Sequence, residues 1–306
     1  MMPIYSYAQP QTDSSRYPQV EIILTTKSGN IHGSLMTPEK FISGNIVLII
    51  AGSGPTDRDG NNMFMKNNSL LQLAEGLAAN GIASVRFDKR GIAMSEKAMT
   101  KEEDIRFEHY IDDVKDWVQL IRKDKRFKKV IIAGHSEGSL IGMVAAQGVV
   151  DKYISLAGPG EPIGETLKRQ LDQQLPKMKD RCHSIIDSLN HGIIVDNVPA
   201  ILQSVFRSSV QPYMISWMRY NPQIEIKKLT MPLLIIQGDK DLQVTVADAE
   251  LLHQQQTSAA YHIVSDMNHV FKTVSDNKDN YKSYGEPNRP ISAEMISIIT
   301  DFINKK

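Results

Sequence analysis

Apolar and polar positions alternate from Gln19 through Thr26 and again over residues 31–37, with Ser28-Gly29-Asn30 between the two runs. A period of two on either side of a turn predicts a β-hairpin. The pattern then changes. Residues 45–51 (NIVLIIA), 82–87 (IASVRF), 129–133 (KVIIA), 152–157 (KYISLA), 232–237 (PLLIIQ) and 259–264 are short apolar runs without alternation, as expected of strands covered on both faces. Between them the spacing becomes helical. Asn68 and Ser69 offer caps for a helix carrying Leu70, Leu73, Ala74 and Leu77, and Asn80-Gly81 closes it. Ile111, Val114, Val118 and Ile121 predict a helix over about 106–125. Residues 137–149 continue as a small-residue apolar helix, residues 245–256 as another, and Ile291, Ile296, Ile298, Ile299 and Phe302 mark a last amphipathic helix over about 291–303.

Strands alternating with helices predict an α/β fold: a mostly parallel eight-stranded sheet with helices on both faces and an antiparallel N-terminal hairpin at one edge. One stretch breaks the alternation. Residues 161–228 contain no strand pattern; Ile163, Leu167, Leu171 and Leu175 step by four, and Val198, Ile201, Leu202, Val205 and Phe206 share one helical face. This predicts a core of residues 17–160 and 229–306, interrupted by a helical lid insertion at 161–228 and preceded by a loose tail at 1–16.

The composition narrows the partners. Lys plus Arg and Asp plus Glu both number 35, so there is no cationic excess to hold nucleic acid or an anionic membrane. No apolar run approaches the roughly 20 residues of a membrane span. The single cysteine, Cys182, can form neither an internal disulfide nor a cysteine-based zinc site and reads as an inert thiol. No metal and no organic cofactor are implied. The tail has no apolar signal segment, which favours a cytoplasmic protein; Ser6-Tyr7-Ala8 before Gln9 resembles a cleavage site and leaves open an exported one whose N-terminus is a processed remnant.

The chemistry concentrates at Gly134-His135-Ser136-Glu137-Gly138, a G-x-S-x-G motif between a buried strand and a helix. A nucleophilic serine there must stand on a sharp turn, and side chains two residues to either side would collide with the neighbouring strand and helix, so glycine is used.

On this motif and three further stretches the chain from about residue 17 resembles the α/β-hydrolases. Gly52-Ser53-Gly54-Pro55-Thr56-Asp57-Arg58-Asp59-Gly60-Asn61 resembles a stretch of bacterial serine carboxylesterases, as do Phe87-Asp88-Lys89-Arg90-Gly91 and Asn268-His269-Val270-Phe271. Serine aminopeptidases and the catalytic domains of prolyl-oligopeptidase-like enzymes share the fold, and fold alone names no function. The fold's chain order is serine, acid, histidine. The acid belongs after the strand at 232–237, where Asp239 and Asp241 compete; the family's G-x-x-D-x-x-V pattern implies Asp241, with Asp239 as a turn-former. Among eight histidines only His269 lies in the loop after the last strand, where this fold presents its base. His32 and His109 precede the serine, His135 sits in the elbow facing away, His183 and His191 are in the insertion, and His253 and His262 lie in a helix and a strand. The expected oxyanion donors are the backbone N–H of Glu137 and, by resemblance, that of Ser53. The resemblance also implies that Asp57 and Arg58 buttress the oxyanion loop. Asp88 and Arg90 are expected to tie loops together.

Asp57, Asp59 and Asn61 have calcium-loop spacing, but Asn62 and Asn68 occupy the positions that need glycine and glutamate, so calcium is rejected. Tyr213, Met214 and Trp217, with Met218 and Tyr220, read equally as the wall of an acyl pocket or as packing of the lid. The expected function is a serine carboxylesterase for small acyl esters. Charges on the lid, such as Lys168, Arg169, Lys177, Lys179, Asp180 and Arg181, argue against a large apolar lipase lid. The first rival is a serine exopeptidase or amidase with an acidic anchor at Glu161 or Glu165; the second is a non-catalytic ligand-binding module on the same fold. The expected partner is a small-molecule ester, and the sequence leaves the oligomeric state open.

Overall fold

The computed structural model describes residues 16–99 and 101–305; the expectations for the tail and for Ser6-Tyr7-Ala8 lie outside them. The hairpin forms from β1 (Gln19–Thr26) and β2 (Gly29–Met36), paired from Gln19↔Met36 to Thr26↔Gly29. β3 (Gly44–Ile50) leads over to α1 (Ser69–Ala79), and β4 (Ala83–Phe87) precedes α2 (Phe107–Arg122). β5 (Phe127–His135), α3 (Glu137–Ala146) and β6 (Lys152–Leu156) follow. Helices α4 (Ile163–Gln174), α5 (Lys179–Asn190), α6 (Gln203–Phe206), α7 (Gln211–Trp217) and α8 (Pro222–Lys227) come next, before β7 (Leu233–Gly238). The chain continues through α9 (Val246–Gln255), β8 (Ala260–Val264), α10 (Asn277–Ser283) and α11 (Ala293–Asn304).

The eight strands form one sheet in the order β1-β2-β4-β3-β5-β6-β7-β8. β2 pairs antiparallel with β1 and β4, and every later pair is parallel, so the polarity follows from the sequence pattern. One face carries α1 and α11, where Leu73, Leu77, Met295 and Ile299 pack on Val47, Ile49 and Ile131. The other carries α2, α3 and the helices after β6, with Trp117, Phe107 and Tyr153 against Ile46, Leu48 and Ile132. Burial of this kind stabilises by roughly 25 cal/mol per Å² of apolar surface. The parallel strands therefore stay put and can hold exact loop positions at their C-terminal ends, where this class of sheet presents its sites. No helix of the described residues is long and apolar enough to cross a membrane.

Three local features differ from the sequence pattern. Asn68 does not cap α1: it sits in the left-handed region (φ 52°) and makes no side-chain cap. The orphan N–H groups of Leu70 and Leu71 go instead to the Asp59 carbonyl, and Ser69 N–H donates to Asn67 Oδ1. The helix start is thus fastened to the loop after β3. β5 runs two residues further than its apolar core, through His135, and so delivers the elbow directly. α10 was not readable: NKDNYKS has no apolar period, and the helix is held by an Asp276 cap accepting from Asp279 N–H and by buried Asn280 and Ser283.

Candidate active site

Ser136 stands between the end of β5 and the start of α3 with φ 54° and ψ −123°. A non-glycine residue there stores strain of about 1–3 kcal/mol and needs surroundings that fix it. Ser136 N–H donates to the Leu156 carbonyl at 3.0 Å. The flanking glycines let the turn close: a Cβ on Gly134 would stand 2.2 Å from the Gly138 carbonyl oxygen, and one on Gly138 would stand 2.5 Å from that of Ile50. Across the sheet, the end of β3 brings Gly52 against Ser136.

The loops after β7 and β8 bring Asp241 and His269 together. His269 Nδ1 lies 2.7 Å from Asp241 Oδ2, with both residues buried. The other carboxylate oxygen accepts N–H bonds from Gln243 (2.7 Å) and Val244 (2.9 Å), and Gln237 Nε2 donates to Oδ2 at 3.0 Å. Burial pushes the Asp241 pKa up, but the adjacent His269 and the donated hydrogen bonds outweigh it, leaving the carboxyl below its ordinary range. With Nδ1 engaged, Nε2 is the nitrogen left for chemistry, and Ser136 and His269 both line a recess of about 60 Å³. Asp239 accepts from Asp266 N–H at 2.7 Å, which joins the two loops.

The Ser53 loop is held from below. Thr56 Oγ1 donates to the Ser53 carbonyl, and Asp57 Oδ1 accepts from the N–H groups of Asp59 and Asn61. Burial is the largest influence on Asp57 and raises its pKa. Arg58 makes a two-pronged contact with Asp88, Nη2–Oδ2 2.6 Å and Nε–Oδ2 3.0 Å, while its own N–H donates to Asp88 Oδ1. Arg90 pairs with Asp113 on α2. Ser53, Ser136 and Glu137 share a cleft of about 420 Å³. Tyr213, Met214 and Trp217 line that cleft and also pack inward, Trp217 stacking on Phe107 with centroids 5.7 Å apart.

Glu161 and Glu165 do not line the cleft; they pair with Arg169 (3.2 Å) and Lys168 (3.3 Å). The carboxylates that do, Glu102 and Glu137, are also paired, with Arg207 and Lys89 respectively. Cys182 is buried, away from the elbow, and burial pushes its thiol up.

Two parts of the site escaped the sequence reading. His135 does not simply face away. Its Nε2 lies 2.9 Å from the His269 carbonyl oxygen, and its ring packs on His269 (centroids 4.7 Å) and Phe271 (4.8 Å). The residue before Ser136 is thereby a prop for His269. Burial, with the His269 charge adding to it, lowers the His135 pKa to about 3. A histidine whose folded pKa lies below its unfolded 6.5 binds fewer protons when folded, so stability is lost as pH falls from about 6.5 toward 3. His135→Gln, which keeps an N–H donor and removes the titration, is expected to flatten that acid limb in thermal melts from pH 7 to 4; equal slopes in the two proteins would exclude the assignment. The second missed part is the side chain of Glu137, buried with Lys89 at 2.8 Å. Nothing in the local pattern marks an ion pair between residues 48 positions apart.

Comparison with known proteins agrees with this architecture. A family model described as serine aminopeptidase, S33, matches residues 65–196. Esterase EstD of Thermotoga maritima is 26% identical over 240 residues, 73% of this chain and 54% of EstD, so the chain spans about half the length of that relative. Est1E from Butyrivibrio proteoclasticus superposes with a TM-score of 0.64 at 17% identity, covering 93% of this chain and 99% of Est1E, and has also been solved with ferulic acid bound. An esterase of Pyrococcus furiosus gives 0.59 at 14% identity, over 98% and 96% of the two chains. The sheet order, the elbow and these likenesses give the chain the α/β-hydrolase fold.

Proposed function

We propose that the chain is a serine esterase acting on small acyl esters through Ser136, His269 and Asp241. The observation that carries the reading is the buried 2.7 Å contact between His269 Nδ1 and Asp241 beside a serine on a strained elbow. His269 Nε2 takes the Ser136 proton as Oγ attacks the ester carbonyl, and Asp241 fixes the tautomer and stabilises the imidazolium. The Ser53 and Glu137 N–H groups receive the developing oxyanion. The imidazolium then protonates the departing alkoxide, and water, activated by the same histidine, releases the acid from the acyl-enzyme. Residues 161–228 act as the lid over a core of residues 17–160 and 229–306, and Tyr213, Met214 and Trp217 form the acyl wall.

The description of the matching family favours a second reading, an aminopeptidase. That activity requires a free carboxylate to hold the substrate ammonium. Glu102 and Glu137 in the cleft are neutralised by cations, and Glu161 and Glu165 are paired outside it, which supports the ester reading. A p-nitrophenyl ester series from acetyl to palmitoyl, run with methyl ferulate and aminoacyl p-nitroanilides, tests the choice. Methyl ferulate is included because Est1E has been solved with ferulic acid bound. We expect the highest kcat/KM on short acyl or aryl-acyl esters and rates at least about 100-fold lower on the anilides; the reverse order would assign the peptidase.

A further inference from the structure

Lys89 is nearly inaccessible, and its ammonium makes two contacts: Nζ donates to the Gly52 carbonyl oxygen at 2.6 Å and to Glu137 Oε2 at 2.8 Å. It also lies over the Tyr110 ring, 5.2 Å from the centroid. The other Glu137 oxygen accepts from the Tyr213 hydroxyl on α7. Burial, foremost, and the Glu137 charge push the Tyr213 phenol well above its ordinary value, so it remains a donor. A buried ion pair of this kind is a weak source of stability, because stripping water from both ions offsets their attraction. Its placement points elsewhere. The Gly52 carbonyl and the Ser53 N–H belong to one planar peptide unit. A cation fixed on that oxygen sets the tilt of the unit and draws electron density away from the N–H, which makes it a stronger donor. The counter-ion of that cation is the side chain of the residue whose own N–H is the other oxyanion donor.

We propose that Lys89 is a positioning residue for the oxyanion hole, gripping the Gly52–Ser53 peptide and held in turn by Glu137 and by Tyr213 of the lid. The inference rests on the serine-hydrolase reading above. It also gives Tyr213 a role beyond lining the cleft: α7 reports its seating to the elbow through one hydroxyl. The lysine carries no proton to or from substrate and touches no reacting atom. Its removal acts on the transition state, where the oxyanion exists, and little on ground-state binding.

The test is the rate at which a fluorophosphonate phosphonylates Ser136, measured alongside kcat and KM for a short-chain ester, in wild type, Lys89→Met, Lys89→Arg and Tyr213→Phe, each checked by thermal melting. Attack of Oγ on phosphorus expels fluoride and places the phosphonyl oxygen in the oxyanion hole, so this rate reads the hole directly. Lys89→Met is expected to slow labelling and kcat together by roughly 10- to 100-fold, short of the loss of a whole donor, with KM within about threefold. Lys89→Arg recovers most of that rate, and Tyr213→Phe loses about 3- to 10-fold. Should Lys89→Met fail to fold, Tyr213→Phe decides alone. Wild-type rates in folded Lys89→Met and Tyr213→Phe, or a folded Lys89→Arg no faster than Lys89→Met, overturn the proposal while leaving the serine reading intact. A wild type that is not labelled at Ser136 overturns both.

Discussion

Ser136→Ala is expected to lower kcat for a short-chain ester by on the order of 10⁵- to 10⁶-fold, the range seen when a triad nucleophile is removed. The variant keeps the Cβ, so the elbow conformation at φ 54° and its strain are retained. The Ser136 N–H bond to the Leu156 carbonyl is also retained, being main-chain. Stability should therefore change little while chemistry stops. The residual rate comes from the oxyanion donors and from binding, which survive the substitution. Parallel steady-state assays and thermal melts check this. Retention of more than about 1% of wild-type kcat by a pure, folded variant is incompatible with Ser136 as the nucleophile.

Asp241→Asn is the second large effect, about 10⁴-fold in kcat with KM nearly unchanged. The carboxylate accepts the His269 Nδ1 proton at 2.7 Å, and its other oxygen is fixed by the Gln243 and Val244 N–H groups. An asparagine in the same place can turn its NH₂ toward Nδ1, which favours the tautomer with the proton on Nε2 and leaves the serine without a base. The same carboxylate contributes stability of the usual acidic sign. Its folded pKa lies below 3.8, so its share is fully present above that value and is lost as pH falls through the folded pKa. Asp239→Asn is the control. Asp239 accepts from the Asp266 N–H rather than from His269, so its substitution should cost no more than tenfold. A reversal of the two effects would move the acid to Asp239.

Much of the fold could be read from the sequence because hydrophobic period is a local property. Runs such as Val130–Ile131–Ile132 and Leu234–Ile235–Ile236 are continuous because both sheet faces are covered, and the alternation in β1 reflects the half-exposed edge. The elbow was legible for a related reason: glycine at 134 and 138 answers to clashes within a few residues and with the strand alongside. The pairing of Asp241 with His269 could be anticipated only through the resemblance: chain order expects an acid after the seventh strand and a histidine after the eighth, and the family's G-x-x-D-x-x-V pattern chooses Asp241 over Asp239. What stayed hidden depends on contacts between distant segments. α10 has no apolar face and is fastened by Asp276 and by Asn280 bonded to Asn268. Asn68 looks like a cap, yet it sits left-handed with its side chain and its N–H bonded to Asn61, while the Asp59 carbonyl takes the N–H groups of Leu70 and Leu71. Nothing in the local pattern around His135 or Lys89 marks a partner for either side chain. Their work is set by the partners the sheet brings to them, the carbonyls of His269 and Gly52.

The account stands on an acyl-enzyme at Ser136, and trapping it is the most direct test. Wild type mixed with an excess of a short-chain p-nitrophenyl ester and quenched in acid during turnover should gain the mass of one acyl group, located by peptide mapping to the segment containing Ser136. Ser136→Ala treated alike should gain none. Hydrolysis that proceeds without an adduct in wild type, or with the acyl group on another residue, would contradict the mechanism.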